Sequence, residues 1–396
     1  MAPSRVNDDD CFTTETAVQR KLQSLNNPGK SGPCAWDGDV KNSMPRAWVG
    51  AEVNESQYLV VLTLEEREEA EQAARSYIES KNRFCHLTPS SFPLPTLGPR
   101  LYEARTRLAQ DLGFFVLRGL APEQYSNAMN IVLYVGISSY ISTTRAIQYP
   151  GGPVLTHVVD LSSSEDQETH YGKWIGSGNQ NLSLPFHTDN GHVLCLYSMH
   201  SVPVGGRSRL ASSQKIIEIL QKERPDIISN LRQDWQWDST DVPGCNSFSE
   251  DEPTSTERPL LHEHNGHNFL NYSRRPLIGL PDYPRRTGLK PLTDAQIEAL
   301  DTLESLANQL ALSFEFKTGD IQYVNNLALL HGREAFQCQQ PMGCRRHLLR
   351  MFLKNEGDDL SLPRELDAVI QGLYDHDVEE ECFPWSLEPL PYILSP

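Results

Sequence analysis

The sequence predicts an α+β fold in which a core of short β-strands, of the sandwich or jelly-roll type, carries helices on its outside. Two observations predict it. A helical pattern, a glycine and a four-residue apolar strand follow one another over residues 101–117, as in domains whose helices pack on a sheet. From Val154 onward, most apolar runs are short and separated by turn residues, which is typical of antiparallel β architectures.

Composition excludes several classes of protein. The chain has 396 residues, of which 38% are hydrophobic and 22% charged, as in an ordinary globular protein. A net charge of -17 repels phosphate backbones, so we expect no nucleic-acid partner. No apolar run approaches the ~20 residues of a membrane span, and the first ten residues lack the apolar segment of a secretory signal. The eight cysteines form no C-x-x-C pair, which indicates reduced thiols and a cytoplasmic protein. The oligomeric state is left open.

The first half combines helices with strands. Residues 1–60 are rich in Pro, Gly, Asn and Asp, and we expect an N-terminal arm. Thr63 and Glu66 form a capping box, which opens a helix to about Ser80. After a proline-rich connector at 89–99, the pattern predicts a helix over 101–112, a strand over 114–117 and a helix from Pro122 to about Tyr134.

The second half is mostly strands. They are predicted at 193–199, 210–213, 260–264, 267–271, 313–316, 321–324 and 347–353. Asn265-Gly266 predicts a two-residue hairpin. Ser213 caps a helix through Leu220, Pro225 starts a second helical segment, and Thr293 with Gln296 forms another capping box. The polar segment 232–257 resembles a long functional loop or lid. We expect one catalytic domain over 61–355 and a C-terminal extension over 356–396 packed on it.

The stretch 184–190 contains His187-Thr188-Asp189. In a strand, residues two apart point to the same face, so the imidazole and the carboxylate would converge. With a distant histidine they would make the two-histidine, one-carboxylate set that holds non-haem Fe(II) and leaves positions open. Alone the pair is weak evidence, because a polar strand end with a structural histidine has the same sequence.

Downstream residues supply the remaining parts. Asn326 leads to His331, and Arg346 and Arg350 follow on a predicted strand. With His187-x-Asp189 and the Gly205-Gly206 turn, this pattern resembles the taurine dioxygenase family of Fe(II)/2-oxoglutarate-dependent oxygenases, within the clavaminate-synthase-like superfamily. The resemblance covers roughly 101–353 and suggests a fungal-type member.

The resemblance implies a double-stranded β-helix (jelly-roll) core and a set of site residues. His187, Asp189 and His331 would bind Fe(II), and 2-oxoglutarate and O2 would be co-substrates. The distal carboxylate of 2-oxoglutarate would pair with Arg346, since a guanidinium offers a planar bidentate fork and keeps its charge. Ser208 stands where the family usually has threonine, and its hydroxyl would bond the same carboxylate.

Arg350 is the most informative additional residue. It lies an even number of residues from Arg346, so both face one side of the strand with Leu348 between them, while Arg345, His347 and Leu349 face the other side. By resemblance, Arg350 would grip an anionic group of the substrate, which we expect to be a carboxylate. The alternative is that Arg350 pairs with an aspartate or glutamate of the protein.

Other residues are weaker candidates. His262, His264 and His267 lie on the predicted hairpin, where a zinc site is conceivable, but no fourth ligand has suitable spacing. Residues that would line the cavity or have structural roles are His192, Tyr272, Arg274, Arg275, Trp235 and Trp237.

The leading hypothesis is an oxygenase that oxidises a C–H bond of a small carboxylate, such as an amino acid, by hydroxylation, desaturation or cyclisation, in secondary metabolism. The alternatives are a non-catalytic jelly-roll binding or sensor protein and a zinc-dependent hydrolase. The pattern does not identify the substrate.

Overall fold

The computed structural model describes residues 44–149, 151–162, 177–202, 204–238, 255–280, 283–286, 288–337, 345–354 and 361–384. The α-helices are α1 Glu55–Tyr58, α2 Leu64–Glu79, α3 Leu97–Gln110, α4 Asn127–Ser138, α5 Ser213–Glu223, α6 Pro225–Leu231, α7 Arg275–Ile278, α8 Asp294–Leu310 and α9 Arg364–Gln371. Helices and sheets are mixed along the chain, which confirms the α+β class.

Nineteen strands are present among these residues. They are β1 Leu59–Val61, β2 Phe114–Arg118, β3 Arg145–Ala146, β4 Thr156–Val159, β5 Leu184–His187, β6 Val193–His200, β7 Val204–Gly205, β8 Ser208–Ser212, β9 Trp235–Asp238, β10 Ser255–Arg258, β11 Leu261–His264, β12 His267–Leu270, β13 Gly279–Leu280, β14 Tyr283–Pro284, β15 Leu312–Phe314, β16 Ile321–Asn325, β17 Leu329–Arg333, β18 Phe336–Gln337 and β19 His347–Leu353.

The larger sheet has seven strands in the order β1-β2-β16-β6-β19-β3, and β4 also pairs with β19. Every pairing is antiparallel except that of β1 with β2. Side chains alternate across it. Tyr323 and Met351 join a core with helices α2, α3 and α4 on one face, while Val324 and Phe352 face the opposite way.

The smaller sheet has four antiparallel strands in the order β15-β8-β17-β5. Leu210 and Leu329 pack with Val324 and Phe352 of the larger sheet in one buried cluster. Phe186 and Leu330 pack instead against helices α5, α6 and α8. Two sheets therefore meet over a shared core, and helices cover the outer side of each.

Local signals in the sequence predicted several elements correctly. The Thr63 hydroxyl accepts the Glu66 N–H (3.2 Å) and the Glu66 carboxylate accepts the Thr63 N–H (2.8 Å), so the predicted capping box opens α2. Thr293 and Gln296 cap α8 in the same way. Strand β19 has the predicted bounds, 347–353.

Other predicted boundaries were wrong. A helix was expected from Pro122, but residues 122–124 form a 3-10 turn and α4 begins only at Asn127. The reason is Ser126, whose hydroxyl accepts the Met129 N–H (3.2 Å) and makes the stronger helix start. Helix α3 begins at Leu97, inside the predicted connector, because a proline is tolerated in a first helical turn. Ser212, not Ser213, caps α5.

The predicted two-residue hairpin is confirmed, whereas the polar segment 232–257 contains strand structure that was not predicted. Asn265 and Gly266 have φ of 50° and 79°, as a two-residue turn between β11 and β12 requires. The excursion contains strand β9, which pairs with β10. The intervening residues 239–254 lie outside the described part of the chain. Trp235 and Trp237 are both buried.

Segments at both ends of the described chain pack on the sheets. The Trp48 indole N–H donates to the Leu112 carbonyl (2.8 Å). The Tyr374 hydroxyl donates to the Leu353 carbonyl (2.9 Å), and Glu381 forms a buried ion pair with Arg145 (2.8 Å). The division into arm, domain and extension stays a prediction. Among the described residues, no helix is both long enough and apolar enough to cross a membrane.

Candidate active site

The three predicted metal ligands converge where the smaller sheet faces the larger one. His187 ends β5, and its register partner across the strands is His331 of β17, so their ring centroids lie 4.1 Å apart. Asp189 places Oδ1 3.8 Å from Nε2 of His187 and Oδ2 3.5 Å from Nε2 of His331. The structure thus brings all three together. Strand alternation is not the reason, since β5 ends at His187 and Asp189 lies in the following loop.

The donor set fits a divalent iron ion. The Pro185 carbonyl accepts a hydrogen bond from Nδ1 of His187 (2.9 Å), which leaves Nε2 free toward the carboxylate. Burial lowers the pKa of His187 to about 4, so its imidazole is neutral. Burial alone would raise the pKa of Asp189, but Arg350 and His331 outweigh it and hold that pKa well below its usual range. Two imidazoles and one carboxylate are the ligands that non-haem Fe(II) takes.

The Asp189 loop is held from one side by Asn326. The amide oxygen of Asn326 accepts the Asp189 N–H (2.9 Å), and its amide nitrogen donates to the carbonyls of Asp189 and Gly191. The Asn326 N–H also donates to the His192 carbonyl (2.9 Å). Asn326 therefore holds the backbone of Asp189 in place. It also directly precedes β17, the strand that carries the other candidate ligand His331.

The same loop is held from the other side by the end of β12. Thr188 N–H donates to the Tyr272 carbonyl (2.7 Å), and the Thr188 hydroxyl accepts N–H groups from Tyr272 (2.9 Å) and from the Asn271 side chain (3.2 Å). Glu304 of α8 accepts the Phe186 N–H (3.3 Å). The residues on either side of His187, Phe186 and Thr188, are thereby held by hydrogen bonds to α8 and to the segment that follows β12.

Arg346 and Arg350 both line the same cavity, with Leu348 between them. Leu349 faces the opposite core, and His347 stacks on His157 with 2.9 Å between Nε2 and Nδ1. The expected alternation along this strand is confirmed.

Arg346 is buried, with 8% of its surface exposed. Its guanidinium lies 5.8 Å from the Phe336 ring and makes no side-chain hydrogen bond or ion pair with the described residues. Burial lowers its pKa to about 9, Arg333 adds to this effect and Asp160 opposes it. The group stays cationic near neutral pH and faces a cavity without a bonded counter-ion.

Arg350 has partners in the protein. Its Nη1 lies 3.5 Å from Oδ2 of Asp189, and its Nε donates to the Gln148 side-chain oxygen (3.1 Å). The alternative considered from the sequence, that Arg350 pairs with a carboxylate of the protein, is therefore present in the structure. The carboxylate is that of Asp189, which is itself a candidate metal ligand.

Ser208 follows the Gly-Gly turn at the start of β8. Gly205 and Gly206 have φ of 78° and 67°, a backbone region that favours glycine. Ser208 lines the cavity and donates to the Gln322 side-chain oxygen (2.8 Å). Its bond to a 2-oxoglutarate carboxylate stays a prediction.

The weaker candidates separate clearly. His264 bonds to Ser361 (3.0 Å) and His262 is buried. Across the part of the chain that the structure describes, the metal-type clusters are the triad and Cys85, His86 and Glu379. In that second cluster Arg83 ion-pairs with Glu379 (2.7 Å), which makes it a poor cation site.

The cavity around the triad has a volume of about 770 Å³. Tyr272, Arg274, Arg275 and Trp237 line it, which is one of the two roles considered for them, whereas Trp235 belongs to the core. Sequence reasoning missed Gln148, the hydrogen bonds by which Asn326 holds the Asp189 loop, and Arg258, which lines the cavity. Asn326 belongs to the pattern that carries the family resemblance, but its contact with the Asp189 loop could not be read from spacing, and Gln148 and Arg258 belong to no motif.

Comparison with known proteins agrees with this geometry. The model of the family described as "Taurine catabolism dioxygenase TauD, TfdA family" matches residues 82–352. The chain is 41% identical over 350 residues to the taurine hydroxylase-like protein SAT17 of Stachybotrys chartarum, covering 88% of this chain and 89% of that protein. It is 25% identical over 320 residues to FR-33289 synthase of Streptomyces rubellomurinus, covering 78% and 89%. The structure of asparagine oxygenase with Fe(II), 2S,3S-3-hydroxyasparagine and succinate matches with a TM-score of 0.55 and 17% identity, covering 75% of this chain and 93% of that one.

Proposed function

The chain belongs to the taurine catabolism dioxygenase TauD, TfdA family, and from this premise we propose that it oxidises a C–H bond of a small substrate that carries a carboxylate. As a member of the family it is a dioxygenase that uses Fe(II), 2-oxoglutarate and O2. The observation that carries the substrate proposal is the position of Arg350 beside the metal ligand Asp189 in the cavity. The two sheets are then the halves of a double-stranded β-helix, as in the jelly-roll cores of this family.

Arg346 is the residue that holds the distal carboxylate of 2-oxoglutarate. A buried guanidinium without a bonded partner is costly, and an anionic ligand removes that cost. Among the described residues, Arg333 and Arg346 lie near one carboxylate, Asp160, and these three groups together carry one positive charge in excess. The distal carboxylate balances it. Ser208 lies on the cavity wall to bond the same group.

The charge at the metal end supports an anionic substrate. His187, Asp189 and His331 would hold the iron dication, and Asp189 supplies one negative charge beside Arg350. The keto-acid carboxylate of 2-oxoglutarate supplies one more. One positive charge remains, and a substrate carboxylate next to Arg350 neutralises it.

The residues of the chain bind, orient and exclude water, because the oxidation belongs to the bound groups. When bound, iron and 2-oxoglutarate activate O2, with succinate and carbon dioxide as the products of the co-substrate. Arg350 fixes the substrate carboxylate, and thereby decides which C–H bond faces the metal. Leu348 and Phe186 supply apolar walls. Hydroxylation, desaturation and cyclisation are all compatible with this arrangement.

Relatives suggest the substrate class and setting. The relative from Streptomyces rubellomurinus is named a synthase. Asparagine oxygenase, which is similar in structure, was crystallised with a hydroxylated amino acid. We therefore propose amino acids and related carboxylates of secondary metabolism as the first class to test. The cysteine pattern supports a cytoplasmic location. The alternative is a non-catalytic binding protein. Such a protein would need neither the complete set of three candidate metal ligands nor an Arg346 that lacks a bonded counter-ion among the described residues.

The test is a succinate-release screen with Fe(II), 2-oxoglutarate and ascorbate over amino acids, sulfonates and other small carboxylates. We expect at least one carboxylate to raise succinate release and to yield an oxidised product. The His331→Ala variant is the control, because it should show no release with any compound. A wild-type protein that binds 2-oxoglutarate but never releases succinate would favour the non-catalytic alternative.

A further inference from the structure

The cavity is cationic within a strongly acidic protein. Among the described residues that line it are six arginines but only two acidic residues, Asp189 and Asp238, although the whole chain has a net charge of -17. Asp238 is held by Arg286 (3.3 Å). The excess of positive charge therefore belongs to the cavity and not to the surface as a whole.

Most of these arginines have an identified role. Arg274 pairs with Asp301 (2.5 Å). Arg333 donates to the carbonyls of Gly178, Gln180 and Leu182, and so holds the segment that precedes β5. Arg346 and Arg350 are accounted for by the two carboxylate ligands of the proposed function.

Arg258 is not accounted for. It ends β10 and lines the cavity, and its guanidinium lies 3.9 Å from the ring centroid of Trp237. Its hydrogen bonds to the described residues go only to the neutral oxygens of Thr256 (3.0 Å) and Asn271 (3.1 Å). Within the part of the chain that the structure describes, its buried Nε has no hydrogen-bond partner and no acidic residue forms an ion pair with it.

We propose that Arg258 binds a second anionic group of the substrate, so that the substrate is a dianion held at one end by Arg350 and at the other by Arg258. This inference rests on the proposed function and specifies its substrate class: a dicarboxylate, or another small molecule with two separated anionic groups. Arg258 is then a specificity-determining residue.

The surroundings of Arg258 suit a ligand-binding group better than a structural one. The Arg258 guanidinium is held in one orientation by Trp237, Thr256 and Asn271, none of which neutralises its charge. A guanidinium preorganised in this way is well suited to bidentate recognition of an anion. Burial lowers the pKa of Arg258 to about 10, which still leaves it charged at neutral pH.

Asn271 also connects this arginine to the metal end. Its side-chain oxygen accepts from Arg258, and its side-chain nitrogen donates to Thr188, between His187 and Asp189. Arg258 is therefore held relative to the metal ligands through two hydrogen bonds. The apolar side chains of Phe186, Pro185 and Ile278 line the space that the two cationic ends share.

The experiment compares probes that differ only in a second carboxylate: hexanoate with adipate, octanoate with suberate, and decanoate with sebacate. Binding is measured by anaerobic calorimetry on the full chain loaded with Fe(II) and saturating 2-oxoglutarate, which keeps the probes off Arg346. We expect one dicarboxylate to bind about tenfold or more tightly than its monocarboxylate partner. The Arg258→Gln variant should lose that preference while binding the monocarboxylate and 2-oxoglutarate as before.

Two variants serve as controls. Arg232→Gln removes the same charge from an ion pair with Glu263 outside the cavity and should keep the preference for the dicarboxylate. Arg258→Lys keeps the positive charge but lacks the planar guanidinium, so it should restore part of the preference for the dicarboxylate. A merely structural Arg258 would instead weaken monocarboxylate and dicarboxylate binding equally.

Equal affinity of the wild type for both members of every pair would overturn the inference, and so would a preference that survives in Arg258→Gln. In either case, monocarboxylate binding that depends on Arg350 would leave the proposed function intact. If no probe binds in a way that depends on Arg350, while 2-oxoglutarate still binds, the substrate-carboxylate proposal has failed and this inference fails with it.

Discussion

Replacing Arg346 by glutamine should separate co-substrate binding from protein stability. Removing a charge-assisted bidentate partner from a buried site costs about 2–5 kcal/mol, so the dissociation constant of 2-oxoglutarate should rise about 30-fold or more. Iron binding should not change, because Arg346 contacts none of the three candidate ligands.

Stability of the ligand-free protein should respond differently. The Arg346 side chain is buried and makes no hydrogen bond or ion pair with the described residues, so its removal leaves no buried group without a partner. It also relieves the repulsion from Arg333. We therefore expect the free energy of unfolding without 2-oxoglutarate to stay the same or to rise.

The assay is thermal and chemical unfolding with and without 2-oxoglutarate, together with anaerobic calorimetry. At a ligand concentration about 100 times the wild-type dissociation constant, the wild type gains about 2.7 kcal/mol, and a 30-fold weaker variant gains only about 0.9 kcal/mol. Arg224→Gln, which removes an exposed guanidinium paired with Asp226 and Glu298, is the matched control and should gain as much as the wild type. An unchanged 2-oxoglutarate titration in Arg346→Gln would refute the assignment, and a large loss of ligand-free stability would show a structural role instead.

Asp189→Ala should abolish turnover and sharply weaken Fe(II) binding in chloride-free buffer, measured by succinate release and metal titration; full activity would contradict the metal assignment. Arg350→Ala should weaken substrate binding and coupling far more than 2-oxoglutarate binding, and equal turnover of a substrate and its methyl ester would show that Arg350 serves only Asp189. Burial lowers the pKa values of His157 and His347 below 6.5, so the unfolded chain binds more protons and stability should fall as pH decreases below about 6.5. His157→Gln should reduce that slope by up to about 1.4 kcal/mol per pH unit, and an unchanged slope in denaturant titrations would argue against this source.

The cluster of candidate metal ligands could be predicted because metal chemistry restricts the residue types. Few side chains can hold Fe(II), and a histidine and a carboxylate two residues apart are visible in the sequence. The reason for their convergence could not be predicted in the same way. Strand β5 ends at His187, and the position of Asp189 depends on the Asn326 side chain, which comes from a distant part of the chain.

The alternation along β19 was predictable because a strand has a period of two whatever its surroundings. The environment of Arg350 was not, since Gln148 and Asp189 reach it from segments that only the tertiary fold brings close. Arg258 was missed for a similar reason. Its place in the cavity depends on the pairing of β10 with β9, which are separated in sequence by residues 239–254. Helix starts were misplaced where a proline competed with a nearby serine cap, as at Pro122 and Ser126.

The clamp that Asn326 forms on the Asp189 loop has a consequence for conformational entropy. Ordering the backbone of a flexible residue costs about 1–2 kcal/mol, and a loose ligand loop would subtract that cost from the affinity for iron at each binding event. Here the hydrogen bonds of Asn326 to Asp189 and Gly191 order the loop in the folded chain itself. A metal ion held by His187, Asp189 and His331 would then enter and leave a site whose loop stays ordered, and its affinity would not be reduced by the cost of ordering that loop.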